Sequence, residues 1–260
     1  MQNIRVIHKV LNNVDNFINK AVEIGEKNEG SMQENIEKQR LCIENEKKEQ
    51  FALYEALIKE YNERYNLTTI LEKKDMFYKH FLDSSVGEPL FTKNASVLEV
   101  GSGAGFPSIP LKILRPDLRF TLLESVGKKC EFLKVVVDKL GLQGMNIYQG
   151  RAEELAKDPA FREQFDFATA RAVARMNTLS EYCLPFVKVG GKFIAYKSGE
   201  ETEIEEAVNA YQTLGARLQK VYRYELPEGY GARTLAVVEK VKNTPNKYPR
   251  GQGKERKNPL

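Results

Sequence analysis

Val97-Leu98-Glu99-Val100-Gly101-Ser102-Gly103-Ala104-Gly105-Phe106-Pro107 is the stretch whose reading decides the fold. A short apolar run leads into a turn with glycine at every second position. The proline that follows suits the first position of a helix, where its missing N–H costs nothing. Glycines so spaced let the backbone take positive φ and approach a ligand with no Cβ in the way. A strand–turn–helix of this kind is either a nucleotide-type cofactor site or a plain structural turn.

Two details narrow the first reading. The dinucleotide fingerprint Gly-x-Gly-x-x-Gly carries a third glycine for close helix–strand packing. Here Phe106 occupies that place, and Glu99 sits inside the strand. Both features resemble motif I of the S-adenosylmethionine-dependent methyltransferases.

Outward from the turn, strand and helix patterns alternate, which argues for a mostly parallel α/β sheet. Strands are expected at 96–100, 119–123, 146–148, 165–170 and 192–196, with helices at 107–114, 128–140, 176–186 and 201–214. Two further strand-like runs, 218–225 and 234–241, have only Pro227-Glu228-Gly229-Tyr230-Gly231 between them. Five βα units closed by a terminal antiparallel hairpin make a seven-stranded, Rossmann-like methyltransferase sheet. A dinucleotide fold would instead add another crossover helix and parallel strand.

The expected organisation has four parts. Residues 1–33 read as an extension outside the domain that need not be ordered: their apolar pattern is weak, and Met32 after Glu29-Gly30-Ser31 could be a true start. Residues 34–94 form a helical segment packed on the core. In it Leu53, Tyr54, Leu57, Ile58, Tyr61 and Tyr65 recur at three- and four-residue spacing on one face. A second helix at 75–86 carries Phe77, Phe81 and Leu82, with His80 beside them. The methyltransferase domain covers 95–242, and a basic tail 243–260.

Composition fits an ordinary globular enzyme, with 42% apolar and 29% charged residues. No apolar run approaches a membrane span, and the first residues lack a signal-peptide apolar region. Cys42, Cys130, Cys183, His8 and His80 are too scattered to imply a disulfide framework or a metal site. A cytoplasmic monomer with no membrane partner is expected. From Lys240 to Leu260 there are seven Lys/Arg against one Glu, a net of +6 on a chain totalling +4. That asymmetry points to a polyanionic partner or to a solvated end.

The ends of the strands carry the candidate site. Glu124 lies 23 residues after Gly101, where a carboxylate can accept hydrogen bonds from ribose hydroxyls. Gly150-Arg151-Ala152-Glu153 follows the third strand, where an adenine edge would meet backbone N–H groups. After the fourth strand, Ala170-Arg171-Ala172 replaces both the Pro-rich loop of adenine-N6 enzymes and the Pro-Cys nucleophile of pyrimidine-C5 enzymes. Cys183 falls in a helical apolar pattern and reads as core. An acceptor atom that already owns a lone pair, such as guanine N7, fits a site without those groups. Positioning it against the methyl donor supplies the rate, with no general base required.

Several stretches, in one order from about residue 37 to the end, resemble the RsmG family, also called GidB. They are Tyr65-Asn66-Leu67-Thr68, Lys79-His80-Phe81-Leu82-Asp83-Ser84, the glycine turn itself, Glu124-Ser125-Val126-Gly127-Lys128-Lys129, Ala170-Arg171-Ala172, Tyr196-Lys197-Ser198-Gly199, Lys247-Tyr248-Pro249-Arg250 and Lys257-Asn258-Pro259-Leu260. The resemblance implies transfer of a methyl group from S-adenosylmethionine to N7 of one guanine in 16S ribosomal RNA of the small subunit. It implies cofactor contacts from Gly101, Gly103, Phe106, Glu124, Ala152 and Glu153. Arg171 falls where the family has an arginine facing the methyl-transfer pocket, and is the expected catalytic residue. Lys128, Lys129, Arg151, Lys197 and Arg233, together with Arg171, match basic positions expected to meet RNA phosphates or orient the base. A cation aimed at N7 would compete with methylation, so Arg171 is expected on O6 or a phosphate. The alternatives are a methyltransferase for another RNA or a small molecule, whose binding in the latter case would not fall with salt, and a cofactor-less RNA-binding module.

Overall fold

A computed structural model describes residues 29–199 and 202–260. Its centre is a seven-stranded sheet in the order β3-β2-β1-β4-β5-β7-β6. The strands are β1 (Ser96–Val100), β2 (Arg119–Glu124), β3 (Met145–Gln149), β4 (Phe165–Arg171), β5 (Val187–Lys197), β6 (Ala216–Leu226) and β7 (Gly231–Lys240). The first five run parallel, and β7 runs antiparallel to both β5 and β6. This is the expected methyltransferase sheet with its terminal hairpin.

Alternation along the strands sorts side chains between two cores. Val97, Phe120, Leu122, Phe167 and Ile194 face a layer built from α1 (Glu29–Leu41), α2 (Lys48–Tyr65), α5 (Ser108–Leu114) and α6 (Gly127–Lys139). Leu98, Val100, Leu123, Ala168 and Phe193 face the other layer, with α8 (Met176–Cys183), α9 (Thr202–Glu206) and α10 (Val208–Thr213). By the same parity Glu99, Glu124, Arg171 and Arg233 lie on the N-terminal-helix face, and Lys197 on the opposite one.

The helical segment departs from two straight helices. The first breaks through a π-helical turn, Cys42–Glu46, into α2 at Lys47 (φ −114°, ψ 10°). On α2 the buried stripe is Phe51, Tyr54, Leu57 and Ile58; Leu53, expected on that face, points into solvent. The second is α3 (Lys73–Met76), a π-helical turn Phe77–Leu82 and α4 (Asp83–Ser85). The expected helix at 201–214 is two short ones, and residue 201 lies outside the described residues. Pro107 precedes α5 rather than opening it.

One expected boundary moves. Met32 and Ile36 are buried against the sheet, so the packed body already includes the last two residues assigned to the extension, while 1–28 lie outside the described residues. Just before the basic tail, Lys240 ends β7 fully buried, its ammonium donating to Leu184 O, Val187 O and Glu163 at 2.8–3.1 Å. Burial pushes that ammonium down to about 8, against the pull of Glu163. The short α7 (Ala152–Leu155) and α11 (Lys254–Lys257) complete the chain.

Candidate active site

The glycine turn is held from both sides. The N–H groups of Gly101 and Ser102 donate to Leu123 O at 2.8 and 3.2 Å, fastening the end of β1 to β2. From α2 the Tyr54 hydroxyl donates to Ala104 O at 2.5 Å. Gly105 has φ +97°, and a Cβ there would lie 3.0 Å from the Tyr54 hydroxyl and 3.1 Å from Leu133, so the third glycine is what lets two helices close on the turn. Gly103 has φ +57° and open space beside it, the nearest atom to a Cβ added there being Gly101 O at 3.9 Å. The turn is therefore closed toward the helices and open toward a ligand at Gly103.

Glu124 spans the next step. Its two carboxylate oxygens accept from Gly103 N at 2.8 Å and Val126 N at 2.9 Å, which pins the turn to the end of β2. Each carboxylate oxygen has a second lone pair, so acceptor capacity remains for a pair of hydroxyls. A cleft continues along the strand ends, lined by Gly101, Gly150, Arg151, Ala152 and Glu153. Ala152 and Glu153 thus share one cavity with Gly101, and the exposed Arg151 lies at this cleft and not beside Arg171.

Glu99 is fully buried, and neither of its oxygens accepts a hydrogen bond among the described residues. Burial pushes its carboxyl up to about 8, opposed by the Ser108 and Ser102 hydroxyls nearby and by the Arg171 charge. An orphaned buried acid under a glycine turn is costly unless a ligand uses it. The chemistry of this set fits S-adenosylmethionine: the open Gly103 would admit its backbone approach, Glu124 could accept from its ribose, the cleft at Ala152 has room beside it for a base, and Glu99 would offer a carboxylate to its cationic end.

Arg171, at the end of β4, sits in a compact hub. Its Nη1 donates to Asp83 Oδ2 at 2.9 Å and to Lys79 O at 3.0 Å, and its Nη2 meets His80 Nδ1 at 2.7 Å. The guanidinium carbon lies 4.9 Å from the centre of the Phe106 ring, which stacks on His80 at 4.4 Å. Nδ1 lies 2.7 Å from Nη2, which can only donate, and 3.2 Å from Lys79 O, which can only accept; the shorter contact favours Nδ1 as acceptor, with the imidazole proton on Nε2 toward the Thr68 hydroxyl at 2.9 Å. Burial, then the Arg171 charge, holds His80 down to about 3, so it is neutral. Among the described residues three of the five Arg171 N–H donors are engaged, leaving two for a ligand. The next residue, Ala172, has φ +56°, a left-handed backbone uncommon for alanine and placed against this hub.

Asp83 is the joint of the hub. Besides Arg171 it accepts from the Tyr224 hydroxyl at 2.8 Å and lies 3.8 Å from Arg233 Nε. Arg171 and Arg233, each expected among the RNA-contacting cations, therefore share one carboxylate. Lys197 goes elsewhere. Its ammonium donates to Ala174 O at 2.9 Å and pairs with Glu203 at 3.0 Å, on the sheet face opposite Arg171. In this structure it supports the loop after β4 and is not brought together with Arg171. Lys128 and Lys129 open α6, the first exposed and the second half-buried.

Sequence reasoning assigned no role to Tyr54, His80, Asp83 or Tyr224. For Asp83 the signal is weak, since Asp75, Lys79 and His80 share its expected helix. Its partner is 88 residues away in sequence, which pattern alone does not reveal.

The comparisons agree with this architecture. The solved structure of M. jannaschii TYW2 in complex with AdoMet shares the fold at 14% identity and a TM-score of 0.52, covering 66% of this chain and 80% of that one. The Ribosomal RNA small subunit methyltransferase G of Lactobacillus acidophilus is 45% identical over 232 residues, 86% of this chain and 96% of the relative. That of Streptococcus gordonii is 46% identical over 229 residues, with the same shares covered. The family model for rRNA small subunit methyltransferase G matches residues 47–228, which hold the glycine turn, the Arg171 hub and most of the cofactor cleft. With that span matched and such relatives covering almost their whole length, the chain belongs to the GidB family, rRNA small subunit methyltransferase G.

Proposed function

We propose that this protein transfers a methyl group from S-adenosylmethionine to N7 of one guanine in 16S ribosomal RNA, acting as a monomer in the cytoplasm. The observation that carries the reading is the pairing of two half-sites at the carboxyl ends of the strands: the cleft of Gly101, Ala152 and Glu153, with the Gly103–Glu124 bond at the adjoining turn, and beside it the Arg171 hub. Family membership supports the ribosomal RNA substrate. The bound cofactor would supply the electrophilic methyl on its sulfonium.

What the residues do around it follows from their states. Glu124 and the Gly103 backbone fix the ribose, while Glu99 lies where it can face the cofactor's positive end. On the acceptor side His80 is neutral with Nδ1 occupied, and Asp83 is salt-bridged, so neither is available to take a proton. Guanine N7 needs none removed, and this supports it over an amino-group or pyrimidine acceptor. The two remaining Arg171 donors suit O6 of the base or a phosphate oxygen, with Phe106 as a flat neighbour. Arg233, Lys128 and Lys129 are the cations we assign to RNA phosphates. Among the described residues no helix is long and apolar enough to cross a membrane.

The test is transfer of labelled methyl from S-adenosylmethionine by the purified protein, offered small subunits, naked 16S RNA and transfer RNA in parallel. Label in 7-methylguanosine of 16S RNA supports the reading. Label confined to transfer RNA, or in another nucleoside, overturns it.

A further inference from the structure

The C-terminal segment is clamped rather than loose. Arg162 holds it with Nη2 to Thr244 O at 2.8 Å and Nη1 to Tyr248 O at 2.9 Å. Arg250 then grips the fully buried Glu181 of α8 through Nη2 at 2.7 Å and Nε at 3.0 Å, and its backbone N–H adds a third bond at 2.8 Å. The Thr178 hydroxyl donates to Glu255 O at 2.8 Å. These bonds seat α11 on α8, and the result is that Arg256 lines the same cleft as Gly101, Ala152 and Glu153. Tyr182 of α8 also lines it, its phenol beside the Arg256 guanidinium.

We propose that Arg256, delivered by the docked C-terminal segment, is a cofactor-positioning residue that contacts the adenosine half of S-adenosylmethionine. The inference rests on the cofactor reading of the cleft and adds a wall to it from outside the span of the family model. Position decides which half it meets. The cleft is lined mainly from the ends of β1, β2 and β3 and meets the loop after β4 at Val173, whereas the Arg171 hub lies at β4, on the other side of β1 and on the opposite sheet face from Tyr182 and Arg256. The nucleoside therefore extends toward Ala152, Glu153 and Arg256, and the methyl end toward Arg171. A planar guanidinium matches an adenosine on two counts: its N–H groups meet ring-nitrogen and ribose-oxygen acceptors, and its flat face stacks on a purine. Part of the basic character of the tail is thereby assigned to the small ligand and not to RNA.

Calorimetric titration of the full chain with S-adenosylmethionine and with 5′-methylthioadenosine, which lacks the amino-acid part, tests this. Arg256 is exposed, so Arg256→Ala removes no core packing. Lys254→Ala deletes the same charge from the same short helix and is the control. Arg256→Ala is expected to weaken both ligands about fivefold to tenfold, the scale of one hydrogen bond, with Lys254→Ala unchanged. Arg250→Ala, which undocks the segment, should reproduce the loss. Equal affinities for Arg256→Ala and Lys254→Ala would overturn the proposal, as would a loss for S-adenosylmethionine with none for 5′-methylthioadenosine. If the unaltered chain bound neither ligand, the cofactor reading itself would fall, and this inference with it.

Discussion

Replacing Asp83 with alanine probes the hub on which the site is mounted. The carboxylate and the Arg171 guanidinium are 2.9 Å apart with side chains 7% and 13% exposed, so solvent screens the pair little. Deleting one partner of such a pair leaves a buried charge uncompensated, at about 3–5 kcal/mol. The Tyr224 hydroxyl loses its acceptor as well, so the upper part of that range is expected, a large share of the ~5–15 kcal/mol that holds a domain together. Asp83→Asn keeps the volume and an acceptor for Tyr224, and should cost less. Urea unfolding followed by circular dichroism reads the difference. Removing both partners with Asp83→Ala and Arg171→Ala should cost less than the two single losses added together, by about 0.5–3 kcal/mol, because no charge is then stranded. A single-variant cost below about 1 kcal/mol, or strictly additive losses, would refute the hub as the anchor of Arg171.

Other expectations follow from the same geometry. Arg171→Ala should abolish methyl transfer while cofactor affinity stays within about threefold, since a lost neutral-scale contact is worth little more; a parallel collapse of binding by calorimetry would move Arg171 to the cofactor. Glu124→Ala should weaken S-adenosylmethionine more than about tenfold and lower stability by ~1–3 kcal/mol, because the Gly103 and Val126 N–H groups lose their acceptor. Unchanged affinity would remove Glu124 from the ribose. Glu99 stays protonated when folded but ionises when unfolded, so from about pH 4.5 to 8 the unfolded state binds fewer protons at this group and its contribution to stability falls as pH rises. His80 works the other way between about 3 and 6.5, because unfolding lets it take a proton it refuses when folded, so the two offset each other up to pH 6.5 and the ligand-free protein should show the net Glu99 loss from 6.5 to 8. Chemical denaturation from pH 4 to 9 with Glu99→Gln checks the first slope, which the variant should flatten; an unchanged slope would mean Glu99 is ionised in the fold.

Much of this was legible in the chain. The spacing of Gly101, Gly103 and Gly105, Glu99 before them and the helix-free gap between β6 and β7 carry the fold, because each is a local requirement of backbone geometry. The cofactor side was readable for the same reason, since its residues follow the ends of consecutive strands. The substrate side was less so. Lys197 looks like Arg171 in composition, and only strand parity separates them: Arg171 shares a face with Phe167, and Lys197 with Phe193. That parity could have been counted. The breaks at Lys47 and in Phe77–Leu82, and the reach of Arg250 to Glu181, depend on packing between distant segments that periodicity does not encode.

The central claim is methylation of a guanine N7 in 16S ribosomal RNA. Its most direct measurement is borohydride–aniline cleavage of 16S RNA from cells with and without the gene, which maps 7-methylguanosine to single positions. One cleavage site is expected to disappear on deletion, to return with the unaltered gene and not to return with Arg171→Ala. An identical cleavage pattern in both cell types would contradict the claim.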